Sequence, residues 1–344
     1  MSRLTALAAG VASMASIALA ACESSAVPDA RASAWSLGPP LPRRVLAPGV
    51  GALGLQVAVI GGLDATAGGL DASAEVDAFD TGLGSWGRLP DAPVRWTDGN
   101  VAAVGGTLYL AGGFEGQGAG RVARGDLLAL DPLDRTWKQL PAMPAGSERA
   151  AAGVVATPGA IYLLGGASST GAVSGCLALD IATRTWSALP ELPAPRAHPA
   201  AMRRSDGSLI VAGGFAGLDQ SDPRGEVWRL PPGPAQAWQQ VAPMPVPRGG
   251  CVYGAVLGQL TCAGGAGDTS AEPPVESYDP YNDAWTMRDP MPVARANVQG
   301  AAVASRLFVP GGSPMPGAPG GAGDASTEPT DTLYIYAPLD VAPR

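Results

Sequence analysis

The sequence predicts an all-β protein assembled from six copies of one β unit. Three observations carry that expectation: a composition hostile to helices, paired glycines at a period near 50 residues, and tryptophans that recur in step with them. Of 344 residues, 48 are Gly and 34 are Pro, and a helix interior loses about 1 kcal/mol for each Gly and about 3 kcal/mol for each Pro. A share of about 24% approaches the composition of disordered chains. Against disorder, 46% of residues are apolar and only 15% charged, enough to bury a core. Many short strands joined by many turns satisfy both facts.

The repeats are read from two series. Glycine pairs preceded by an apolar run fall at Gly61-Gly62, Gly112-Gly113, Gly165-Gly166, Gly213-Gly214, Gly264-Gly265 and Gly311-Gly312. Tryptophans fall at Trp35, Trp86, Trp137, Trp186, Trp238 and Trp285. A Pro-rich turn follows each Trp, as in Leu140-Pro141-Ala142-Met143-Pro144, and an aromatic or Leu followed by Asp precedes most of them, as in Tyr278-Asp279-Pro280. This four-part signature resembles the kelch repeat, whose unit is a four-stranded propeller blade. The resemblance runs from Trp35 to Pro338 and implies a six-bladed kelch-type β-propeller over residues 34–344.

Each element has a local reason. Residues 1–21 open on Met1-Ser2-Arg3 and continue through a small, apolar run, the pattern of a secretory signal peptide. The run ends Leu19-Ala20-Ala21-Cys22, which resembles the signal box of bacterial lipoproteins and marks Cys22 for lipidation. Residues 22–33 are then a flexible tether, and the expected location is an exported, membrane-anchored lipoprotein, periplasmic or at the outer membrane or cell surface. Trp35 has no glycine pair before it, and Gly311-Gly312 has no Trp after it. The N-terminal strand, about Ala34 to Leu37, is therefore expected to complete the C-terminal blade and so remove exposed sheet edges. Val104-Gly105-Gly106-Thr107 reads as a tight hairpin, since Gly-Gly permits positive φ. The paired glycines allow a close backbone approach that a Cβ would block.

The chemistry-bearing residues are few. Net charge is −8 and no Lys/Arg run exceeds two, so nucleic acid is excluded as the main partner. One histidine, His198, cannot build a multi-histidine metal site; no metal and no cofactor are expected, and His198 reads as structural. With Cys22 lipidated, Cys176, Cys251 and Cys262 remain. Cys251 and Cys262 read as diagonal neighbours roughly 7–8 Å apart, beyond comfortable bridging distance, so three buried thiols are favoured over a disulfide. Arg44, Arg95, Arg149, Arg196, Arg248 and Arg295 each stand 16 or 17 residues before a glycine pair. That phase places one guanidinium per blade where the chain enters the innermost strand, and six together would bind a carboxylate, sulfate or acidic sugar. The alternative is that each pairs with loop carbonyls and acids of the next blade.

The loops between second and third strands share that face: 63–74, 114–125, 215–225, 266–274 and the long, flap-like Ser313–Thr330. Variable loops on a rigid scaffold are where binding concentrates. The expected function is a lipid-anchored envelope module, non-enzymatic, that binds a protein or glycan through the loop-covered face. The alternative is a sugar mutarotase acting on an acidic sugar such as a sialic acid, as in exported six-bladed kelch enzymes, which needs only an acid/base pair and an anion clamp.

Overall fold

The computed structural model describes residues 33–218, 222–233, 236–267, 275–314 and 328–339. Cys22, the leader and the tether up to residue 32 lie outside the described residues, as do 315–327 of the expected flap. Among the described residues six antiparallel meanders of four strands follow one another. Blade 1 comprises Gly49–Leu53, Gln56–Ile60, Val76–Asp80 and Ser85–Leu89. Blades 2 to 5 repeat the plan with inner strands Val101–Val104, Gly153–Ala156, Ala200–Arg203 and Val252–Val256. Blade 6 runs Ala301–Val303, Arg306–Pro310 and Leu333–Tyr336, and its outermost strand is Trp35–Leu37, with Trp35 opposite Tyr336. Each inner strand packs beside that of the next blade, and that of blade 6 beside that of blade 1.

Among the described residues neighbouring blades share no strand ladder beyond the single bridge of Val45 with Thr330, so apolar wedges hold them together. One wedge joins Val57, Val59 and Phe79 of blade 1 to Val303, Phe308 and Leu333 of blade 6, with the Phe79 and Phe308 ring centroids 6.0 Å apart. Equivalent clusters fill the other five gaps.

Two hydrogen-bond rings reinforce the wedges. Outside, each tryptophan indole N–H donates to a carbonyl in the turn that follows the preceding blade's outer strand: Trp86 to Pro39, Trp137 to Pro90, Trp186 to Pro141, Trp238 to Pro190, Trp285 to Ala242 and Trp35 to Asp289, at 2.9–3.1 Å. That geometry explains why Trp and the Pro-rich turn recur together. Nearer the axis, the second glycine of a pair donates to a carbonyl of the chain leading into the next blade, as Gly62 to Trp96, Gly166 to Arg196 and Gly312 to Val45. A Cβ on Gly61 would stand 2.6 Å from the Trp96 carbonyl oxygen, so this clasp requires glycine.

The Gly105-Gly106 turn has positive φ at both residues with Val104 opposite Thr107, the primed turn expected of Gly-Gly. Two loop expectations change. Half of residues 114–125 is strand, because a register shift between Ala111 and Gly113 lets Thr107–Glu115 and Val122–Asp131 continue their ladder past the glycine pair. Residues 63–72 form a second hairpin, Leu63–Thr66 with Gly69–Ala72.

The cysteine expectation is corrected as well. Cys251 and Cys262 are disulfide-bonded, with Cα atoms 5.6 Å apart. They are diagonal as foreseen, but Cys251 precedes the inner strand, where Gly265 lets the backbones close in: a Cβ there would stand 2.8 Å from the Cys251 nitrogen. Cys176 stays a buried free thiol whose pKa burial pushes up to about 11.

Trp35 is 6% exposed and packs on Tyr334 and Tyr336 with ring centroids 6.2 and 5.1 Å away. Trp35→Ala should cost about 3–5 kcal/mol, read by urea unfolding. A loss below about 1 kcal/mol would show that the N-terminal strand contributes little to blade 6.

Candidate functional site

The axis is organised by one residue per blade: Ala47, Asp98, Ala151, His198, Gly250 and Asn297, each with φ between 49° and 63° or close to it at 48°. They occupy the bend where the chain turns into each inner strand. Their backbones bond round the axis: Ala47 N–H donates to Asn297 O, Asp98 to Ala47 O, Ala151 to Asp98 O, His198 to Ala151 O and Gly250 to His198 O, at 2.7–3.0 Å. Left-handed backbone favours Gly, Asn and Asp, and this conformational demand brings Asp98, Asn297 and His198 together at the mouth of the central channel.

The His198 Nδ1 and an Asp98 carboxylate oxygen are 3.9 Å apart, both side chains largely shielded. Burial holds the His198 pKa below its ordinary value; Asp98 pulls it up and Arg121 pushes it further down. A neutral imidazole can donate a proton through one nitrogen and accept through the other. The Arg121 guanidinium lies 4.3 Å from the centroid of the Phe114 ring. A depression of about 230 Å³ beside the mouth is lined by Leu63, Leu70, Asp98, Gln117, Arg121 and Asn297, among others. It is walled by the 63–72 hairpin and the prolonged strands of blade 2, which Gln117 links by donating to Leu70 O at 2.9 Å.

The six arginines singled out by phase do not meet as a ring. Arg149, Arg196, Arg248 and Arg295 are 1–4% exposed, and each turns back into the blade it introduces. Arg149 donates to the carbonyls of Gly165 and Gly175. Arg196 pairs with Glu226 at 2.9 Å and lies over Trp228. Arg248 meets Glu276 at 2.6 Å with both side chains fully buried, and Arg295 lies over Tyr334. Burial lowers the pKa of Arg149, Arg196 and Arg295. Arg44 and Arg95 are exposed, and Arg95 bonds the Ala72 carbonyl. Both are one residue out of phase, since Val45 and Trp96 accept the glycine-pair bonds in blades 1 and 2. In blade 1 the inward role falls instead to Arg43, which pairs with Asp64 and Asp77. The phase was a signal for the backbone clasp, not for an anion site.

Asp98 and Asn297 were not singled out from sequence, whereas Arg121 falls in the 114–125 loop that the sequence assigns to the binding face. The first two share the phase of Ala47, Ala151 and Gly250, 14 residues ahead of the glycine pair, and that series of Asn, Asp and Gly was the available signal. His198, expected to be structural, is both a ring member and part of the mouth.

Comparisons with known proteins agree with this geometry. Residues 95–144 and 148–193 match the Kelch motif family. The chain is similar to the kelch-like protein terF of Aspergillus terreus, 29% identical over 256 residues, covering 71% of this chain and 55% of that one. It is also similar to kelch-like protein 33 of Homo sapiens, 31% identical over 217 residues, covering 61% and 39% respectively. The chain thus spans about half, or less, of the length of these curated relatives. A solved structure titled "Structure of YjhT" superposes with a TM-score of 0.71 at 18% identity, over 88% of this chain and 97% of that one, a likeness of fold.

Because the folded state holds His198 neutral, the unfolded chain binds a proton below pH 6.5 that the folded chain refuses. Its effect on stability is therefore absent above pH 6.5 and grows as a loss when pH falls towards the lowered folded pKa. His198→Asn, which tolerates the same backbone, should shrink the stability difference between pH 7.5 and pH 5.5 in urea unfolding. An unchanged difference would mean that other groups cause it.

Proposed function

The chain is a kelch-repeat β-propeller, and from that premise we propose that it is a binding module whose partner, a protein or a glycan, docks on the mouth face. The observation that supports this reading most is the walled depression beside the mouth, where Leu63 and Leu70 offer apolar area while Gln117, Arg121 and Asp98 offer hydrogen bonds and charge. Most arginines elsewhere are occupied within blades, whereas Arg121 stacks on one ring of the wall. Export and anchoring through Cys22 belong to the same proposal, and a disulfide within blade 5 supports an oxidising compartment. Fold alone does not decide function, so the mouth face carries the argument.

Immobilised protein should retain a partner from envelope extracts or a glycan array, and Arg121→Glu should cut retention about tenfold or more. Leu133→Asp, on the opposite face and 93% exposed, should leave retention intact. Equal loss in both variants would argue against the mouth face.

A second reading is favoured by the Asp98–His198 proximity. A carboxylate and a neutral imidazole at a mouth bearing an arginine could open and close the ring of an acidic sugar such as a sialic acid. Proton NMR of anomer exchange in N-acetylneuraminate should then show acceleration by the wild type that Asp98→Asn reduces about 100-fold or more. Exchange at the buffer rate with wild type would dismiss catalysis.

A further inference from the structure

The large apolar side chains left in water gather on one face. Among the described residues nine are exposed, and six of them stand at strand-turn tips opposite the mouth: Leu55, Leu83, Leu133, Leu257, Tyr281 and Leu339, 48–93% exposed. Of the other three, Val122 lies on the mouth face, and Leu37 and Met287 lie on outer strands. Exposed leucines scattered singly need no explanation, but six on one face do. They also keep to one arc. Leu257 and Tyr281 belong to blade 5, Leu339 to blade 6, Leu55 and Leu83 to blade 1 and Leu133 to blade 2, four consecutive blades. Blades 3 and 4 present Ala182-Thr183-Arg184 and Ser205-Asp206-Gly207 at tips of the same face.

Local structure holds the tips out. Leu83, Leu133 and Tyr281 sit in turns between third and fourth strands, where an Asp carboxylate accepts the tip residue's own N–H. Asp80 accepts from Leu83, Asp131 from Leu133 and Asp279 from Tyr281, at 2.8–2.9 Å. Each acid is thereby held to its turn, and the apolar side chain is left outside. Leu339 follows Pro338 as Leu133 follows Pro132 and Tyr281 follows Pro280. Leu55 joins Leu83, because the Leu55 carbonyl accepts the Thr81 N–H at 3.0 Å. The Arg204 guanidinium lies 4.3 Å from the centroid of the Tyr281 ring, and an aromatic beside a long cation suits the headgroup level of a bilayer.

The chain enters the fold on this face. Trp35 is opposite Tyr336, and Tyr336 is opposite Leu307, next to the hairpin that joins the first two strands of blade 6. The strand Trp35–Leu37 therefore begins at the tip end, inside the apolar arc. Eleven residues lead from Cys22 to Ser33, at most about 40 Å of extended backbone. A lipid on Cys22 would keep the tip face within that reach of the bilayer.

We propose that the apolar arc of blades 5, 6, 1 and 2 docks on the lipid surface and turns the mouth face away from it, towards partners. The docking rests on the Cys22 anchor proposed above. Acyl chains on a tether hold a domain near the membrane without orienting it, whereas apolar tips entering the interface add buried area and fix the orientation.

Fluorescence of the lipidated protein in vesicles of phosphatidylethanolamine and phosphatidylglycerol tests this. With Cys22 acylated, Cys176 buried and Cys251 bridged to Cys262, a cysteine placed on the surface is the thiol that takes a nitrobenzoxadiazole label. Labels at Leu133→Cys and Leu339→Cys should brighten severalfold, shift to the blue and be quenched by spin-labelled lipid. A label at Val122→Cys should keep its emission in water. Leu55→Asp with Leu83→Asp, both at exposed positions, should return the Leu133→Cys label towards water. Labels that stay in water on both faces, respond alike on both, or ignore the two aspartates would each overturn the docking face. Mass spectrometry of the Cys22 peptide reads the anchor separately. An unacylated Cys22 overturns anchor and docking together, while an acylated Cys22 with tip labels in water overturns the docking alone.

Discussion

Radial sheets cannot hydrogen-bond to one another along their strands, and that constraint shapes everything else in this protein. Each blade satisfies its own ladders, so adhesion between blades falls to apolar wedges and to isolated bonds placed where the sheets converge. The tryptophan indoles tie the outside, donating across each gap to a turn of the preceding blade. The glycine pairs tie the middle, because only a residue without Cβ lets the next blade's carbonyl come so close. The left-handed ring ties the axis. A wedge of valine and phenylalanine supplies most of the energy, while these bonds fix the angle at which blades meet.

The mouth follows from the innermost ring. A bend with positive φ is needed once per blade, and evolution can fill it with Gly, Asn, Asp or a tolerated residue. Where the filling residue is polar, its side chain arrives at the axis next to those of other blades. Asp98, His198 and Asn297 stand together for that reason, and their nearness is a by-product of backbone geometry that chemistry can use. Gln299 does comparable work one step inward, spanning from blade 6 to blades 1 and 2.

Buried charge is handled locally. Arg248 and Glu276 face each other without solvent in blade 5, an arrangement whose desolvation cost rivals its attraction; its benefit lies in holding the third strand against the chain that leads into the first. Arg149, Arg196 and Arg295 do the same with carbonyls, a glutamate and an aromatic ring. The disulfide adds a covalent tie to the blade that holds the Arg248–Glu276 pair.

How much could be read without coordinates depends on the range of the cause. Glycine content, the period of the Gly-Gly and Trp series and the offset between them are local or repeating properties, so the kelch propeller and the partnership of Trp35 with the last blade were legible from the amino-acid order. The arginine phase was equally legible, but its meaning was not. A position one residue off, as with Arg44 and Arg95, exchanges a buried side chain for an exposed one, and counting along the chain cannot detect that shift. The nearness of Asp98 to His198, 100 residues apart, and the bridging of Cys251 to Cys262 were decided only by the tertiary structure. Those distances are set by how blades converge and how far a diagonal shortens where a Cβ is missing, and both are properties of packing rather than of sequence spacing.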